Sequence, residues 1–464
     1  MGGEWKLVRI EKVAERVAMG PFGSSIKVET FVSDGVPIIS GQHLHGFKVN
    51  DGVGFNFITE EHAERLKNAN VLRGDVIFTH AGNIGQVAFV PNNSKYERYV
   101  ISQRQFYLRP DTSKILPEYI VAYFKTPEGQ HKLLANASQV GVPSIAQPVS
   151  YLRSLEIPLP PLPEQRAIAH ILGALDDKIE LNRRMSQTLE EMARALFKAW
   201  FVDFEPVRAK MEGRWKRGKS LPGLPGTGGF GTGEFETRPY PYADLFPDLL
   251  VDSELGEIPE GWEIRKLSDL CSTQYGYTAS AVDEQIGPKF LRVTDINKQN
   301  WIEWDNVPHC EIDSDAKQAY ALEIGDLVVA RMADPGKSAI IEDDIDAVFA
   351  SYLVRLKTRS LAHSYYVYGF LKSELYAEYA EGARSGSVQA NMNARVIVGA
   401  SLVVPPTKVM EQFLRAVLPL RQRLASNVHE SHTLATLRDT LLPKLISGEL
   451  RVKDAERFLK ERGL

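Results

Sequence analysis

The sequence is poor in cysteine and contains no long apolar segment. Only Cys271 and Cys310 are cysteines among its 464 residues, which excludes a disulfide framework and a four-thiolate zinc site. No apolar run reaches the roughly eighteen residues of a membrane span, and the first residues carry no apolar core typical of a secretory signal. We therefore expect a reducing, cytoplasmic setting and no membrane association.

Sequence motifs of catalysis are absent as well. The stretch DPGKS, residues 334–338, ends like a phosphate-binding loop, but Arg331 stands where that loop requires glycine. The motifs LPPL (159–162) and VPPT (404–407) lack the Asn and the aromatic ring with which amino-methyltransferases hold a target amino group. No glycine-rich cofactor loop and no nucleophile elbow is recognisable. We predict a chain that is not an enzyme and binds no cofactor itself.

Two histidines, His43 and His45 in the stretch QHLHG, are the candidates for metal ligation. Zinc sites take three or four protein ligands at suitable spacing, and no third ligand stands at a persuasive spacing here. We interpret both as loop histidines and predict no metal site.

What the chain does have is an ordinary globular composition and ample length. It is 44% hydrophobic and 25% charged, as is typical of soluble globular proteins. Its length exceeds what one hydrophobic core supports and predicts two or three domains. The formal net charge of −4 argues against a uniformly basic coat for nucleic acid, but not against a local basic groove.

The strongest pattern is an internal repeat with a period of about half the chain. Two Pro-Pro pairs, at 160–161 and 405–406, lie 245 residues apart (405 − 160 = 245), and a long helical segment follows each. The other matched segments are GEWKLVRIEKVAE (3–15) with EGWEIRKLSDLCS (260–272), RGDVIFTHAGNIGQVAFV (73–90) with IGDLVVARMADPGKSAII (324–341), and GVPSIAQPVSYLRSLEIPLPP (141–161) with SGSVQANMNARVIVGASLVVPP (385–406). The second pair reads as a Gly-Asp turn, a strand, a polar loop and another strand.

This order predicts an α+β fold with a pseudo-two-fold tandem repeat, in which each of two mixed α/β domains is followed by a long helix. The segment 214–242 is rich in Gly, Pro and charge and predicts a flexible or extended linker. The predicted boundaries are 1–158 for the first globular domain, 159–206 for the first long helix, 207–257 for the linker, 258–404 for the second globular domain, and 405–464 for the second long helix and tail.

Both helical segments carry an apolar heptad seam with Asn and Ser at its centre. The segments NRRMSQTL and NVHESHTL place Asn182 and Asn427 there, again 245 residues apart. Such helices can pair as an antiparallel coiled coil in which a buried Asn fixes the register, although both asparagines could instead face solvent. The predicted seam includes Ile168, Leu172, Leu175, Ile179, Asn182, Leu189 and Leu196 in the first helix, and Phe413, Leu420, Leu424, Asn427, Leu434 and Leu441 in the second.

The ends and flanks of these helices carry further signals. We expect the first helix to begin near Glu164, whereas Pro419 and Pro443 indicate that the second is kinked or begins late. Apolar residues beside the seam predict a second contact face for another protein. They are Ile171, Leu181, Met185, Met192, Phe197, Leu418, Leu437 and Leu442.

Polar loops of the two globular domains are rich in side chains that bind DNA. Gln and Asn can pair with adenine and Arg with guanine, while Ser, Thr and Lys suit phosphate. The candidates are Ser24, Ser25, Lys27, Gln42, His43, Thr79, His80, Asn83, Gln103 and Arg104 in the first domain, and Tyr275, Tyr277, Arg292, Thr294, Arg331, Lys337, Ser338, Arg384, Ser387, Gln389 and Asn391 in the second. Polar surface loops have other roles too, so these loops alone do not establish DNA binding.

Three segments resemble the specificity subunits of Type I restriction-modification systems. IPLPPLPEQRAIAHILGALDDKIELNRRMSQTLEEMARALFKAWFVDFEPV (157–207) is similar to their central conserved region. LGEIPEGWEIRKLSDL (255–270) resembles the start of their second target-recognition domain, and LRDTLLPKLISGELRV (437–452) their C-terminal conserved segment. The resemblance covers essentially the whole chain, but the second helix departs from it by carrying Pro419 and lacking the PLPEQR run.

The resemblance implies a non-catalytic subunit with two target-recognition domains. Each domain would read one half of a split DNA sequence in the major groove, and the antiparallel coiled coil of two conserved helices would set the spacer. Two methylation subunits using S-adenosylmethionine and two restriction subunits using ATP and Mg²⁺ would be its partners. The resemblance adds Glu164, Gln165, Arg166, Arg183 and Arg184 as candidates for the methylation-subunit interface.

Two other functions remain to be weighed. One is a coiled-coil scaffold whose globular domains bind protein without sequence-specific DNA binding. The other is a methyltransferase or nuclease, which the missing cofactor and Asn-Pro-Pro-aromatic motifs weaken. Selection of DNA from a random pool separates the first of these from a specificity subunit, because only the latter enriches a bipartite motif.

Overall fold

The computed structural model describes residues 5–138, 141–213, 243–296, 300–384, 391–452, 454–455 and 457. No helix within these ranges is long and apolar enough to cross a membrane. The chain divides into two compact units, the first formed by Met1–Asn182 with Glu430–Leu464 and the second by Arg183–His429. Each unit therefore contains one globular part and a segment of both long helices. The domain boundaries expected from the sequence are a different division and stay a prediction.

Within its described residues, the first unit has two four-stranded sheets, two two-stranded pairings and four short α-helices. Its strands are β1 (Leu7–Arg9), β2 (Ala14–Met19), β3 (Val36–Ile39), β4 (Asn56–Ile58), β5 (Asn70–Leu72), β6 (Val76–Thr79), β7 (Val87–Phe89), β8 (Arg98–Ile101), β9 (Gln105–Pro110), β10 (Ala137–Ser138), β11 (Ser144–Ile145) and β12 (Glu156–Pro158). Its short helices are α1 (Glu60–Arg65), α2 (Pro117–Lys125), α3 (Pro127–Leu134) and α4 (Pro148–Ser154), and the long helix α5 (Leu162–Phe201) follows.

One sheet of this unit is antiparallel with strand order β2-β9-β6-β7, and the other has the order β4-β3-β8-β5, with β3 and β8 parallel. Strand β1 pairs with β12 and brings the start of the globular part to the residues just before α5. Strand β6 is short and apolar on both faces, and all four of its residues are buried between neighbouring elements.

The second unit has one four-stranded sheet and several two-stranded pairings among its described residues. After α6 (Glu205–Met211) come β13 (Leu250–Ser253), β14 (Gly256–Pro259), β15 (Glu263–Lys266), β16 (Cys271–Tyr275), β17 (Lys289–Leu291), α7 (Val293–Ile296), α8 (Ser314–Tyr320), β18 (Leu327–Ala330), β19 (Ser338–Ile340), β20 (Ala347–Phe349), β21 (Leu353–Thr358), α9 (Leu361–Leu371), α10 (Glu374–Arg384), α11 (Ala394–Ile397), β22 (Ser401–Val404) and α12 (Thr407–Ser447). Its antiparallel sheet has the order β16-β21-β18-β19, β17 pairs parallel with β20, and β15 pairs with β22.

The Gly-Asp turn that both halves of the sequence share has one structural role. Gly74 and Gly325 adopt left-handed backbone angles, with φ of +87° and +91°, which glycine tolerates best. The following aspartates, Asp75 and Asp326, are buried and each accepts a hydrogen bond from a backbone amide three residues earlier, at 2.8 and 3.0 Å. The turn therefore starts the strands β6 and β18 in the same way.

Both long helices are continuous, and the second begins at Thr407, directly after the Pro405–Pro406 pair. Pro419 and Pro443 indicated either a kink or a late start, and the late start is wrong, because both prolines lie within the 41 residues of this helix. Within the first unit, Arg438 contacts Asp176 and Glu430 contacts Asn182, so the two helical segments run antiparallel there.

In the second unit the two segments are antiparallel as well. Glu190 pairs with Arg421, and further along Trp200 and Phe201 pack on Phe413, with the ring centroids of Phe201 and Phe413 5.1 Å apart. Every predicted seam residue is buried or half-buried in its own unit, including Asn182 and Asn427, which are almost inaccessible. Asn182 Nδ2 donates to Glu430 Oε2 at 2.7 Å, and its amide oxygen has no partner among the described residues.

Both ends of the segment 207–257, which was predicted as a linker, carry regular structure. Residues 214–242 lie outside the described residues, but both flanks belong to the second unit. Val207 of α6 and Ile258 of β14 are buried in the core of that unit, together with Phe246. Burial of these apolar side chains extends the folded second unit into both ends of the segment 207–257.

Candidate nucleic-acid interface

Several connections of the first unit meet at one end of its antiparallel sheet. The register pairs Met19 with Phe106 and Thr79 with Gln105, so β2 and β6 end where β9 begins. The parallel strands β3 and β8 end nearby, since the amide of Ser102 donates to the carbonyl of Ile39 at 3.0 Å. The polar loops after β2, β3, β6 and β8 therefore converge on one edge.

His80 lies at the centre of this edge. Its amide donates to the carbonyl of Arg104 at 2.9 Å, and its carbonyl accepts the amide of Ile145 at 2.8 Å. Its Nε2 lies 3.1 Å from the carbonyl of Gln103, and since a carbonyl only accepts, Nε2 carries the proton. Burial lowers the pKa of His80, which favours a neutral ring at physiological pH.

The remaining candidates of the first unit lie at different depths. Asn83, Gln103 and Arg104 are exposed beside His80, and Gln42 is exposed on the adjoining loop, where it donates to the carbonyl of Gly54. Ser25 and Lys27 are exposed on the connection after β2, next to α1, where the ring of His62 contacts the carbonyl of Ser25. The side chain of Ser24 is outside what the structure describes.

The second unit forms the same edge with other side chains. Tyr275 ends β16, Ala330 ends β18 and pairs with Leu353, and β19 starts at Ser338. Arg331 takes the central place, since its amide donates to the carbonyl of Tyr352 at 2.9 Å and its carbonyl accepts the amide of Met392 at 2.8 Å.

Close backbone approach explains a glycine at the same place in both units. A side chain on Gly20, just after β2, would collide with the carbonyl oxygen of Ser102. A side chain on Gly276, just after β16, would likewise collide with the carbonyl oxygen of Ala350. Both glycines let the outer strand leave the sheet directly beside the central loop.

Four candidates are better explained as structural residues. His43, Thr79 and Ser338 are buried, so they support the loops and present no surface to a ligand. His43 stacks on Phe55 with ring centroids 4.2 Å apart. The guanidinium of Arg292 is held by Asp295 at 2.9 and 3.1 Å. Residue type and loop position reveal neither burial nor an internal ion pair, so the sequence alone does not distinguish these four from exposed loop residues.

The other candidates of the second unit divide by exposure. Lys337, Thr294 and Asn391 are exposed, Tyr275 is 43% exposed, and Tyr277 is half-buried against Tyr320. Ser387, Gln389 and the side chain of Arg384 lie outside the described residues.

Sequence reasoning missed Tyr352, which is 56% exposed beside Arg331. It matches Arg104, because both carbonyls accept the amide of the central residue. Residues 101–106, which include Arg104, align with residues 349–354, which include Tyr352, only through the strand register, so no sequence pattern pointed to Tyr352.

Candidate partner residues on α5 also separate by burial. Gln165 is buried. Its side-chain oxygen accepts the backbone amide of Leu116 at 2.9 Å, and its side-chain nitrogen donates to the carbonyls of Lys114 and Pro160 at 3.0 and 2.9 Å. It therefore fastens the helix start to the globular part. Glu164 is half-buried and Arg166 exposed.

Of the residues beside the seam, four are buried within their own unit and four reach the surface. The buried ones are Ile171, Phe197, Leu437 and Leu442, Leu181 is 50% exposed, and Met185, Met192 and Leu418 are half-buried. The part of the chain that the structure describes contains no cluster of three His, Cys, Asp or Glu side chains able to hold a metal ion.

Comparison with known proteins places this architecture in a family. A family model described as a Type I restriction modification DNA specificity domain matches residues 3–191. The HindI specificity subunit of Haemophilus influenzae is 26% identical over 413 residues, covering 82% of this chain and 87% of the relative. The MjaIX specificity subunit of Methanocaldococcus jannaschii is 24% identical over 461 residues, covering 97% and 94%.

A solved structure shares the fold. The crystal structure of a Type I restriction-modification S subunit from M. genitalium aligns with a TM-score of 0.55 at 15% identity, covering 95% of this chain and 96% of that one. Residues 3–191 thus match the specificity domain of Type I restriction-modification systems, and both relatives, aligned over most of this chain, are specificity subunits of such systems. The resemblance seen in the sequence is thereby confirmed, and DNA specificity is favoured over a protein-binding scaffold.

Proposed function

We propose that this specificity subunit reads one bipartite DNA sequence, with one half-site bound in the major groove by the strand-end edge of each unit. The chain itself is not a catalytic subunit, and methylation and cleavage are carried out by other subunits of such systems. The observation that carries the proposal is that both units build the same backbone frame at this edge. The side chains at the two central places differ, His80 with Arg104 in one unit and Arg331 with Tyr352 in the other. A common frame with different side chains suits two domains that read different sequences.

The long helices would form the antiparallel coiled coil of a pseudo-two-fold tandem repeat and set the distance between the half-sites. The antiparallel segments within each unit support this role. Asn182 and Asn427 would fix the register, since a buried polar residue in a seam disfavours shifted pairings.

The same helices would dock two methylation subunits that use S-adenosylmethionine, and two restriction subunits that use ATP and Mg²⁺ would complete the complex in the cytoplasm. Exposed side chains on the first helix, Arg166 and Leu181, support a docking face there, because an exposed leucine beside charged residues is typical of interfaces. Leu181→Asp should weaken co-purification of the methylation subunit, whereas Gln187→Asp, at an exposed polar position of the same helix, should not.

DNA selection tests the central proposal. The full chain, assembled with its methylation subunit, is mixed with a random DNA pool, and the retained DNA is sequenced. We expect two short motifs separated by a fixed gap. Retention of DNA without an enriched motif would contradict the proposal and favour general charge attraction.

A second experiment tests the spacer role. Inserting seven residues after Ser186 and seven after Ser431 keeps the heptad seam and lengthens each helix by about 10 Å. We expect the gap in the selected DNA to grow by about three base pairs, at roughly 3.4 Å each, with both half-motifs unchanged. Altered half-motifs would contradict the separation of reading and spacing.

A further inference from the structure

Arg331 and His80 occupy the same place in the two recognition edges. Each follows the last residue of a central strand, donates its amide to a loop carbonyl at 2.9 Å and accepts an amide from a later segment at 2.8 Å. Two backbone hydrogen bonds fix the Cα position of each residue. The two places differ in the side chain attached to this fixed Cα atom.

The guanidinium of Arg331 is held in place but not paired. It lies over the ring of Tyr275, with the guanidinium carbon 4.9 Å from the ring centroid, a stacking that suits its planar shape. Tyr275 is itself anchored, since its hydroxyl accepts the amide of Ala394 at 2.9 Å. Within the described part of the chain, no side chain or carbonyl pairs with the guanidinium of Arg331, and its Nε is buried without a partner.

The other buried or half-buried arginines that the structure describes in this unit are engaged by protein groups. Arg292 is paired with Asp295, and Arg355 bonds Asp326 and Gln274. A guanidinium that is half-buried, oriented and unpaired is therefore an exception within this unit. With Nε buried, its donors for a ligand are on the two terminal nitrogens.

We propose that Arg331 reads a guanine in the half-site bound by the second unit, an inference that rests on the proposed function. The two terminal nitrogens of a guanidinium match the O6 and N7 acceptors of guanine in the major groove. Adenine presents a donor at the place of O6, so the same contact would be lost. The base is discriminated because the stacking on Tyr275 already fixes the plane of the guanidinium.

A phosphate contact is the competing role for an arginine at this edge. Phosphate contacts position a protein without reading sequence, and exposed flexible cations suit them. Lys337, exposed on the same loop, has that character. Arg331 differs from it by being oriented and partly desolvated, which favours base reading.

The test compares variants of the full chain, assembled with the methylation subunit, in selection from a random DNA pool. Arg331→Gln should relax one guanine position of one half-motif, reducing the preference there by about tenfold to a hundredfold. The other half-motif should stay unchanged. Arg331→Lys keeps the charge but not the fork of donors, and should lower the preference at that same position.

Matched controls make the outcomes distinct. Lys337→Gln should weaken binding of all sequences alike and leave the motif intact, and His80→Gln should alter only the other half-motif. A motif that is unchanged in Arg331→Gln, or one that is only bound more weakly throughout, would overturn the inference while leaving the proposed function standing. If the wild-type chain enriches no bipartite motif, the proposed function itself fails. Equal thermal melting of the variants shows that each folds.

Discussion

Asp176 in the first unit and Arg421 in the second stand at matching places of the two long helices, since 176 + 245 = 421. Asp176 accepts from Arg438 of the opposite helix at 2.9 Å and from the amide of Phe47 in the globular part at 3.2 Å. Arg421 donates to Glu190 of the opposite helix and to Glu342 in the globular part, the latter at 2.9 and 3.1 Å. Both residues join two helices to a globular part, but with opposite charge.

The opposite charges of Asp176 and Arg421 show that the two matching places share a geometric role but not a residue type. The two junctions also differ in depth, because the side chains of Arg421 and Glu190 are 2% and 4% exposed, whereas those of Arg438 and Asp176 are 22% and 15% exposed. The second junction is therefore the more sensitive to loss of one partner, since a buried charge left unpaired is costly.

The largest expected effect follows from removing Arg421. Arg421→Met leaves two carboxylates beside an apolar side chain and should cost about 3–5 kcal/mol in the unfolding free energy of the second unit. Urea denaturation, with hydrogen exchange to assign the loss to that unit, measures it. Adding Glu190→Gln and Glu342→Gln to Arg421→Met should restore much of the stability, because neither carboxylate is then left buried without Arg421. Equal stability of Arg421→Met and wild type would contradict the asymmetry between the junctions.

A smaller effect is expected at the first junction. Asp176→Asn keeps the shape but removes the charge that Arg438 meets, and should cost about 1–2 kcal/mol at this partly exposed site. Exchanging the pair, as Asp176→Arg with Arg438→Asp, restores opposite charges between the two helices. The exchange should recover only part of the stability, because the Phe47 amide still lacks its acceptor. The same denaturation measurements check both variants, and a loss as large as that of Arg421→Met would erase the predicted difference.

A pH dependence is expected at both junctions. Burial lowers the pKa of Lys372 in the second unit to about 8 and lowers that of Lys125 in the first. Between pH 8 and about 10 the unfolded chain binds the Lys372 proton more than the folded chain does. Stability of the second unit should therefore rise with pH over that window. Lys372→Met should flatten this rise in denaturation measured at several pH values, and a rise unchanged by the substitution would assign it to other groups.

Much of the fold could be predicted because its signals are local. The heptad pattern predicted both long helices, and the Gly-Asp turns with alternating polar loops predicted the strands that the structure places there. Pro419 and Pro443 indicated either a kink or a late start of the second helix, and the late start is wrong, because the helix already begins at Thr407. A proline missing one backbone hydrogen bond is tolerated within this 41-residue helix, whose apolar stripe packs against its neighbours.

The candidate site was predictable by loop but not by residue. Polar loop composition located the strand-end edges, yet His43, Thr79 and Ser338 proved buried and Tyr352 was missed. The repeat period of 245 residues could not correct this, because His80 and its structural counterpart Arg331 lie 251 residues apart (331 − 80 = 251). Loops of different length shift the numbering, and only the pairing of strands realigns it.

The sequence by itself determined the two halves, their long helices and the family, because repeats, heptads and motifs are patterns of neighbouring residues. The tertiary structure alone decided which polar side chains share an edge, which are buried, and where opposite charges join helix to globular part. Those properties depend on contacts between residues far apart in the chain, such as Glu190 with Arg421, and no local pattern records them. For the same reason Arg331 stands out only once its stacking on Tyr275 and its missing partner are seen.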